Sequence, residues 1–253
     1  MGFVWIVGAG PGAADLITLR GSRVLSQADV VVHDELAGRD LLALCRPGCE
    51  FHFVGKRAGS HGTPQGQINR LLVELALRGS KVVRLKGGDP AIFGRLNEEL
   101  AELRAHGIPF EIVPGVTSAC AAAAAAGISL TDRHLASSVV FVTGHECTKS
   151  EFDRIDWTEL ARSGQTLCVY MGTRRLPIVA EALMSGGLPS STPVKIVANA
   201  SRANQKVYDG TLADAPSLSA AVTGEPALIL IGAAVRALSD EAVAGLAGEA
   251  LPH

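Results

Sequence analysis

One segment of the sequence brings together residue types that could bind a ligand. A run of mostly apolar, β-branched residues ends at Lys86 and is followed by Gly87, Gly88 and Asp89, with Arg95 a few positions later. Glycine allows a backbone to approach a ligand closely, a carboxylate accepts hydrogen bonds from it, and arginine binds carboxylates in a bidentate manner. In α/β proteins, ligands lie at the carboxyl ends of strands. The segment predicts a strand followed by a ligand-binding loop, with a plain surface turn as the alternative.

A second glycine-rich loop follows the first predicted strand. Residues 8–13 fit the G-x-G-x-x-[GA] spacing of a dinucleotide-binding loop, and Asp34 at the end of the next strand could be the ribose-binding acid. Pro11, however, removes a backbone donor where such a loop would hold a pyrophosphate. A nicotinamide-dependent oxidoreductase therefore stays among the alternatives.

The elements that must position these loops alternate between strands and helices. The predicted strands are 3–8, 30–33, 50–54, 82–86, 108–113, 138–143, 166–170, 194–198, 206–209 and 227–231. The predicted helices are 15–27 with Asp15 as N-cap, 41–44, 67–77, 98–105, an alanine-rich helix after Thr117, 157–161, 178–184 and a tail helix from 237. This alternation predicts an α/β protein with a mostly parallel sheet covered on both faces. We expect an N-terminal domain at 1–113, a C-terminal domain at 114–244 and a tail at 245–253.

Composition excludes several classes of protein. Hydrophobic residues make up 47% of the 253-residue chain and charged residues 19%, which suffices for a buried core. The formal net charge of -2 argues against a general nucleic-acid binder. Neither a signal peptide nor a membrane span is recognisable, so we expect a soluble, cytoplasmic protein. Cys45, Cys49 and His52 lack a fourth ligand and the usual zinc spacing, so no metal site is predicted.

A series of short motifs runs through the chain. They are Gly8-Ala9-Gly10-Pro11-Gly12, Gly55-Lys56-Arg57 with His61, Gln65 and Asn69, Val83–Arg95 with Glu98 and Glu99, Pro114–Ala119, Leu130-Thr131 with Arg133, Val142–His145, and Tyr170-Met171-Gly172. In this order they resemble the motifs of the tetrapyrrole (precorrin/corphin) methylases, and most closely those of the uroporphyrinogen-III C-methyltransferases. The resemblance covers about 3–235. Each motif is short, and the specificity lies in the whole series.

This resemblance implies two α/β domains of the tetrapyrrole methylase type, with S-adenosylmethionine in the cleft between them, and a homodimer. The implied reaction is two successive methyl transfers to carbons of uroporphyrinogen III, which give precorrin-2 and S-adenosylhomocysteine. Precorrin-2 supplies sirohaem and, in some cells, cobalamin or haem d1. Another precorrin methyltransferase, a ribosomal-RNA ribose methylase of similar architecture and a non-catalytic scaffold protein are alternatives. Because the chain begins directly at its first predicted strand, we expect a stand-alone enzyme without a fused dehydrogenase–chelatase.

By the same resemblance, one set of residues contacts the cofactor and another takes part in proton transfer. The implied cofactor contacts are Pro11, Gly87, Gly88, Asp89, Ile92, Thr117, Ser118 and Met171, with Ala200 and Ala227 as additional backbone contacts. Asp34 is the implied proton acceptor and Lys56 the implied proton donor. Glu98, three residues after Arg95, is a second candidate base, and the sequence does not rank it against Asp34.

The implied substrate carries many carboxylates, so a chain of net charge -2 must concentrate cations locally. The predicted substrate-binding residues are Arg95, Arg133, Arg57 and His61, with Lys56 in the same loop as the last two. Two departures from the family pattern lie near them. Leu96-Asn97 stands where relatives usually carry two glycines, and Asp132 stands where they usually carry a histidine. Both departures concern the fit of the substrate more than that of the cofactor.

Overall fold

A computed structural model of the chain describes residues 2–55, 63–144, 155–222 and 224–236. The chain divides into two compact units, Met1–Ala121 and Ala122–His253. Each unit has its own five-stranded sheet with helices, which confirms the predicted two-domain α/β class. None of the helices in the described ranges has the length and apolar character that a bilayer crossing requires. The predicted tail helix lies outside the described residues.

The first unit is built on a parallel sheet in the order β3-β2-β4-β1-β5. Its strands are β1 (Phe3–Gly8), β2 (Val30–His33), β3 (Glu50–Phe53), β4 (Lys81–Lys86) and β5 (Phe110–Val113). The register pairs Gly8 with Lys86 and His33 with Leu85, so the carboxyl ends of β1, β2 and β4 lie side by side. This edge of the sheet is where the two predicted loops begin.

Helices cover both faces of this sheet. On one face, α2 (Gln65–Leu77) and α3 (Leu96–Ala105) share an apolar core with β1, β2 and β4. On the other face, α1 (Leu19–Leu25) and a 3₁₀ segment at Arg39–Leu44 share a second core with the same strands. Alternate strand residues point to the two cores, as the period of two requires. The expected parallel sheet with both faces covered is confirmed for this unit.

Helix α1 begins later than the sequence predicted. Asp15 lies in a separate 3₁₀ turn at Ala14–Leu16 and does not cap a long helix. Thr18 is the N-cap instead, and its hydroxyl accepts the backbone N–H of Gly21 at 3.0 Å. Both residue types are good N-caps, so the position of the break depended on how the chain leaves the first loop.

The second unit contains a mixed sheet in the order β6-β7-β10-β8-β9. Its strands are β6 (Val139–Thr143), β7 (Thr166–Tyr170), β8 (Pro193–Ala198), β9 (Lys206–Thr211) and β10 (Ala227–Ile231). Strands β6 and β7 are parallel, whereas β10 is antiparallel to β7 and β8, and β9 is antiparallel to β8. The expectation of a mostly parallel sheet is wrong for this unit. The residues at 199–205, between β8 and β9, are fewer than the dozen or more that a parallel crossover needs.

Four further helices complete the described chain: α4 (Ser118–Ala126), α5 (Trp157–Arg162), α6 (Leu176–Ser185) and α7 (Ala215–Ala221). The boundary between the two compact units falls within α4. Helices α5, α6 and α7 share one apolar core with β6 to β10. Helix α7 was not predicted, because its small and polar residues carry little helical periodicity.

Candidate functional site

Two glycine-rich loops meet at the carboxyl ends of β1 and β4. Gly10 and Gly88 exchange backbone hydrogen bonds, with N–O distances of 2.7 and 3.2 Å. Gly8 packs directly against Gly115, since a Cβ built on Gly8 would lie 2.6 Å from the Gly115 Cα. Such a distance leaves no room for a side chain. We call these four residues, Gly8, Gly10, Gly88 and Gly115, the glycine platform.

Asp89 joins two loops of the glycine platform. Its Oδ1 accepts the backbone N–H of Ala91 at 2.8 Å, and its Oδ2 accepts the backbone N–H of Gly115 at 3.0 Å. The N–H of Ile92 donates to the Asp89 carbonyl at 3.2 Å and closes the turn. A carboxylate has about four acceptor positions, so each oxygen of Asp89 retains capacity for another donor. Asp89 therefore has a structural role in addition to its predicted contact with the cofactor.

Gly88 is buried and lies against Ser118, with room for no more than ordinary contact. Gly88 has a φ of 68°, and a Cβ there would meet nothing closer than the Ser118 hydroxyl at 3.7 Å. Gly87, by contrast, has no free space, because its Cβ would lie 2.6 Å from the Cβ of Leu36. Thr117 directly precedes α4, and Pro11 follows Gly10 of the platform. The structure thus brings together the first-unit residues that were predicted to contact the cofactor: Pro11, Gly87, Gly88, Asp89, Ile92, Thr117 and Ser118.

A cluster of buried charges lies beside this edge of the sheet. Lys86 Nζ donates to both carboxylate oxygens of Glu99 at 2.9 Å each, and Arg84 Nε donates to Glu99 Oε1 at 3.1 Å. Glu99 is fully buried, and Arg84 and Lys86 are only 4% and 5% exposed. We call Arg84, Lys86 and Glu99 the charge cluster. The sequence analysis did not predict this cluster. One signal was present, because two cations two positions apart in an apolar strand lie on the same face of it.

Neutral groups also form hydrogen bonds with the side chains of the charge cluster. The side-chain amide of Gln65 donates to Glu99 Oε1 at 3.3 Å, and it also donates to the side chain of Asn69. Arg84 Nη1 donates to the carbonyls of Val32 and Leu85. Buried charges require this degree of hydrogen bonding because their desolvation is costly.

The charge cluster changes the proton affinity of its lysine. Burial, and after it the nearby positive charge of Arg84, lowers the pKa of Lys86 from its usual value of 10.5. The carboxylates of Glu99 and Asp34 act in the opposite direction. Burial disfavours the charged form of a lysine, so the ion pair with Glu99 is what keeps the ammonium stable at this position.

Asp34, the predicted proton acceptor, lies at the carboxyl end of β2 next to the charge cluster. Its Oδ2 is 3.5 Å from Arg84 Nη2. Its Oδ1 is buried and has no hydrogen-bond partner among the described residues. The side chain does not cap the 3₁₀ turn that follows, which removes the interpretation as a turn-capping acid. An unpaired buried acceptor costs about 1–3 kcal/mol, so Oδ1 is an atom at which a donor from a bound molecule would be stabilising.

Glu98 and Arg95, predicted as a base and a substrate-binding residue, are paired with each other. Arg95 Nε and Nη2 donate to the two carboxylate oxygens of Glu98 at 2.7 and 2.8 Å. Both side chains are about half exposed. The hydrogen bond from Arg95 lowers the pKa of Glu98 below its usual value of 4.5. A carboxylate that holds its proton less tightly is a weaker base, so this pairing makes Glu98 a weaker base.

Several other predicted residues are not part of this arrangement. Lys56, Arg57 and His61 lie outside the described residues. Arg133 is exposed in the second unit. The neighbouring Asp132 accepts the backbone N–H groups of His134 and Leu135 at 2.8 and 3.0 Å, which lowers the pKa of its carboxyl. Asp132 thus stabilises a surface turn.

The second unit places its three predicted cofactor contacts at strand ends. Met171 directly follows β7, with a φ of 54° and about half of its surface exposed. Ala200 follows β8, and Ala227 begins β10, where it pairs with the last residue of β8. The turn after β8 is held by Asn199, whose side-chain amide donates to Glu225 at 3.2 Å. Positive φ is unusual for a residue with a side chain and is common at functional sites.

Comparison with known proteins identifies the family of this chain. The model of the tetrapyrrole (corrin/porphyrin) methylases matches residues 4–216. The chain belongs to this family. The match includes both loops of the glycine platform, the charge cluster and the end of β7.

Two solved structures of tetrapyrrole methylases are similar to this chain. A uroporphyrin-III C-methyl transferase from Thermus thermophilus, in complex with S-adenosyl homocysteine, is 39% identical with a TM-score of 0.79, covering 93% of this chain and 99% of that one. A cobalt precorrin-4 methyltransferase of cobalamin biosynthesis is 33% identical with a TM-score of 0.82, covering 93% and 96%.

Curated relatives are longer than this tetrapyrrole methylase. A siroheme synthase from Pseudomonas fluorescens is 49% identical over 236 residues, and one from Pseudomonas aeruginosa is also 49% identical. These matches cover 93% of this chain but 50% of each relative. The chain therefore spans about half the length of the curated relatives that it matches.

The geometry of the first loop differs from that of a dinucleotide-binding protein. In this tetrapyrrole methylase, the glycine loop leads into the 3₁₀ turn at Ala14–Leu16, and α1 begins only at Leu19. No helix N-terminus follows the glycines at the place where a pyrophosphate would be held. The alternative of a nicotinamide-dependent oxidoreductase does not fit this arrangement.

Proposed function

We propose that the protein is an S-adenosylmethionine-dependent C-methyltransferase that methylates uroporphyrinogen III twice and forms precorrin-2. The main support is the similarity to the Thermus thermophilus uroporphyrin-III C-methyl transferase bound to S-adenosyl homocysteine. The match covers 99% of that protein. The siroheme synthases, 49% identical over 236 residues, support the same class of product. A homodimer in the cytoplasm is part of the proposal and rests on the family resemblance.

The residues of the glycine platform fit the proposed cofactor. Gly88 has no side chain to cover its backbone, and the Ser118 hydroxyl lies beside it, 3.7 Å from where a Cβ would be. Asp89 is held in place by two backbone donors and keeps acceptor capacity for amino or hydroxyl groups of the ligand. Pro11, Gly87, Ile92 and Thr117 complete the proposed contacts in this unit. Met171, Ala200 and Ala227 are the proposed contacts in the second unit, where a thioether suits an aromatic base.

The proposed chemistry needs one group that takes up a proton. When bound, S-adenosylmethionine supplies an activated methyl group on a sulfonium. A pyrrole carbon that gains a methyl group leaves its ring positively charged, and the ring must lose a proton to become neutral. The Asp34 carboxylate accepts that proton; its side chain is 28% exposed, and one of its oxygens, Oδ1, has no partner among the described residues. Lys56 remains the predicted proton donor, on the family resemblance alone.

The carboxylates of the substrate require cationic partners. Arg95 is one of the proposed partners, and a substrate carboxylate would have to compete with Glu98 for its guanidinium. Exposed pairs of this kind contribute little stability, about 0–1 kcal/mol, so the exchange is not costly. Arg133, Arg57 and His61 are the other proposed substrate-binding residues.

The direct experiment is anaerobic incubation of the protein with uroporphyrinogen III and methyl-labelled S-adenosylmethionine. We expect two labelled methyl groups per tetrapyrrole by mass spectrometry, and Asp34→Asn to abolish incorporation while S-adenosylhomocysteine still binds. The absence of label in the tetrapyrrole would refute the proposal.

A second function from the same family has its own support. The cobalt precorrin-4 methyltransferase has the higher TM-score, 0.82 against 0.79, although its sequence identity is lower. Asp132 and Leu96-Asn97 also depart from the pattern expected for uroporphyrinogen-III methyltransferases near the substrate residues. Label in a later precorrin, and none in uroporphyrinogen III, would select this second function.

A further inference from the structure

Glu99 is a fully buried acid that lies near Asp34. Its side chain has no exposed surface, whereas that of Asp34 is 28% exposed. A fully buried carboxylate is costly unless it is paired, and the two cations paired with Glu99 both belong to the neighbouring strand β4. The proposed chemistry assigns no role to this group. Any effect of Glu99 on the chemistry must therefore act through Arg84 and Lys86, the two cations that it binds.

The contacts of Glu99 determine which atoms are left for Asp34. Lys86 uses two of its hydrogens on Glu99. Arg84 uses Nε on Glu99 and Nη1 on two backbone carbonyls, and only Nη2 approaches Asp34, at the long distance of 3.5 Å. A free arginine would bind a carboxylate with two nitrogens. The orientation of Arg84 prevents that and leaves Oδ1 of Asp34 without a described partner.

We propose that Glu99 is a positioning residue for Asp34. Its carboxylate balances the charge of Lys86 and fixes the orientation of Arg84, so that Asp34 faces one guanidinium nitrogen and its Oδ1 makes no hydrogen bond to Arg84. This inference rests on the proposed function of Asp34 as the proton acceptor.

The charges around Asp34 give the direction of the effect. Arg84 and Lys86 on β4 and Glu99 on α3 lie beside it, and Glu35 and His33 are its neighbours in sequence. With Glu99 neutral, two cations remain against the single acid Asp34. Nearby positive charge stabilises a carboxylate and makes it a weaker base.

The test is the pH dependence of kcat for methyl transfer in the full chain. In Glu99→Gln we expect the acid limb of the profile to move down by about one pH unit and the plateau to fall about threefold. Lys86→Met should move the limb in the opposite direction, because it removes a cation. The double variant Lys86→Met with Glu99→Gln removes one charge of each sign, and we expect its limb to return to that of the wild type.

Two further measurements separate this effect from a loss of structure. Glu102→Gln, one turn along the exposed side of α3, is the matched control and should leave the profile unchanged. The affinity for S-adenosylhomocysteine should stay within about twofold in all variants, because the platform residues are intact. If Glu99→Gln does not fold, Lys86→Met and the double variant still test the two directions.

The outcomes are distinct. An unshifted limb in Glu99→Gln, or the same shift in the single and double variants, would overturn the positioning role. A wild-type protein without activity on any tetrapyrrole would overturn the proposed function itself.

Discussion

Replacing Asp89 by alanine tests whether the glycine platform binds the proposed cofactor. The change removes two charge-assisted hydrogen bonds, from Ala91 N–H at 2.8 Å and from Gly115 N–H at 3.0 Å. The first is exposed and the second is partly buried, so we take about 0.5 and 1.5 kcal/mol, a total of about 2 kcal/mol. Without these bonds the loops must be ordered by the ligand itself, and the proposed direct contact with Asp89 is lost as well.

We expect Asp89→Ala to weaken S-adenosylhomocysteine binding at least about tenfold, which corresponds to about 1.4 kcal/mol. Isothermal titration calorimetry measures the affinity, and urea unfolding of the free protein measures the part of the 2 kcal/mol that appears as stability. Asp214→Ala is the matched control, because Asp214 also accepts two hydrogen bonds, both from Thr211, at an exposed position. Unchanged affinity in Asp89→Ala, or an equal loss in Asp214→Ala, would refute the assignment of Asp89 to the ligand site.

Three other predictions follow from single contacts. Because the hydrogen bond from Arg95 lowers the pKa of Glu98, the pair stabilises the protein above pH 4.5, and this stabilisation is lost as the pH falls through the lowered pKa. Glu98→Gln should therefore lower the free energy of unfolding by at most about 0.5 kcal/mol at pH 7 and leave it unchanged at pH 2. Denaturant unfolding at the two pH values measures the difference. Burial raises the pKa of Cys45 to about 12, so iodoacetamide at pH 8 should modify the exposed Cys120 well before Cys45, as peptide mass spectrometry would measure. Gly115→Ala would place a Cβ 2.4 Å from a carbonyl oxygen of the facing loop, and we expect a loss of about 1–3 kcal/mol in unfolding free energy; a stability equal to wild type would contradict the close packing.

The local elements of the first unit could be predicted well from sequence. Strands β1 and β2 have the predicted bounds, and α3 begins two residues earlier than predicted. Their signals are strong because apolar runs bounded by glycine and polar residues have few alternatives. The start of α1 was wrong because both Asp15 and Thr18 can cap a helix, and only the path of the first loop decides between them.

The candidate site was predicted in part. The sequence placed the glycine loops and Asp34 at strand ends, where the structure has them, because glycine, proline and isolated acids at strand ends are visible in sequence; their roles stay predictions. The charge cluster was not predicted, because the sequence positions of Arg84 and Glu99 do not indicate that the two side chains form an ion pair. The role of Glu98 was also open, and the pairing with Arg95 is what separates it from Asp34.

The sequence by itself determined the alternation of strands and helices, the positions of the loops and the family, because these depend on local residue types and their order. Tertiary structure decided which distant residues share a buried space. It made the second sheet largely antiparallel, since β10 inserts between β7 and β8. It also paired the carboxylate of Glu98 with Arg95 and left Oδ1 of Asp34 without a partner among the described residues. Burial and pairing set the energy of a charge, and both arise only when the chain has folded.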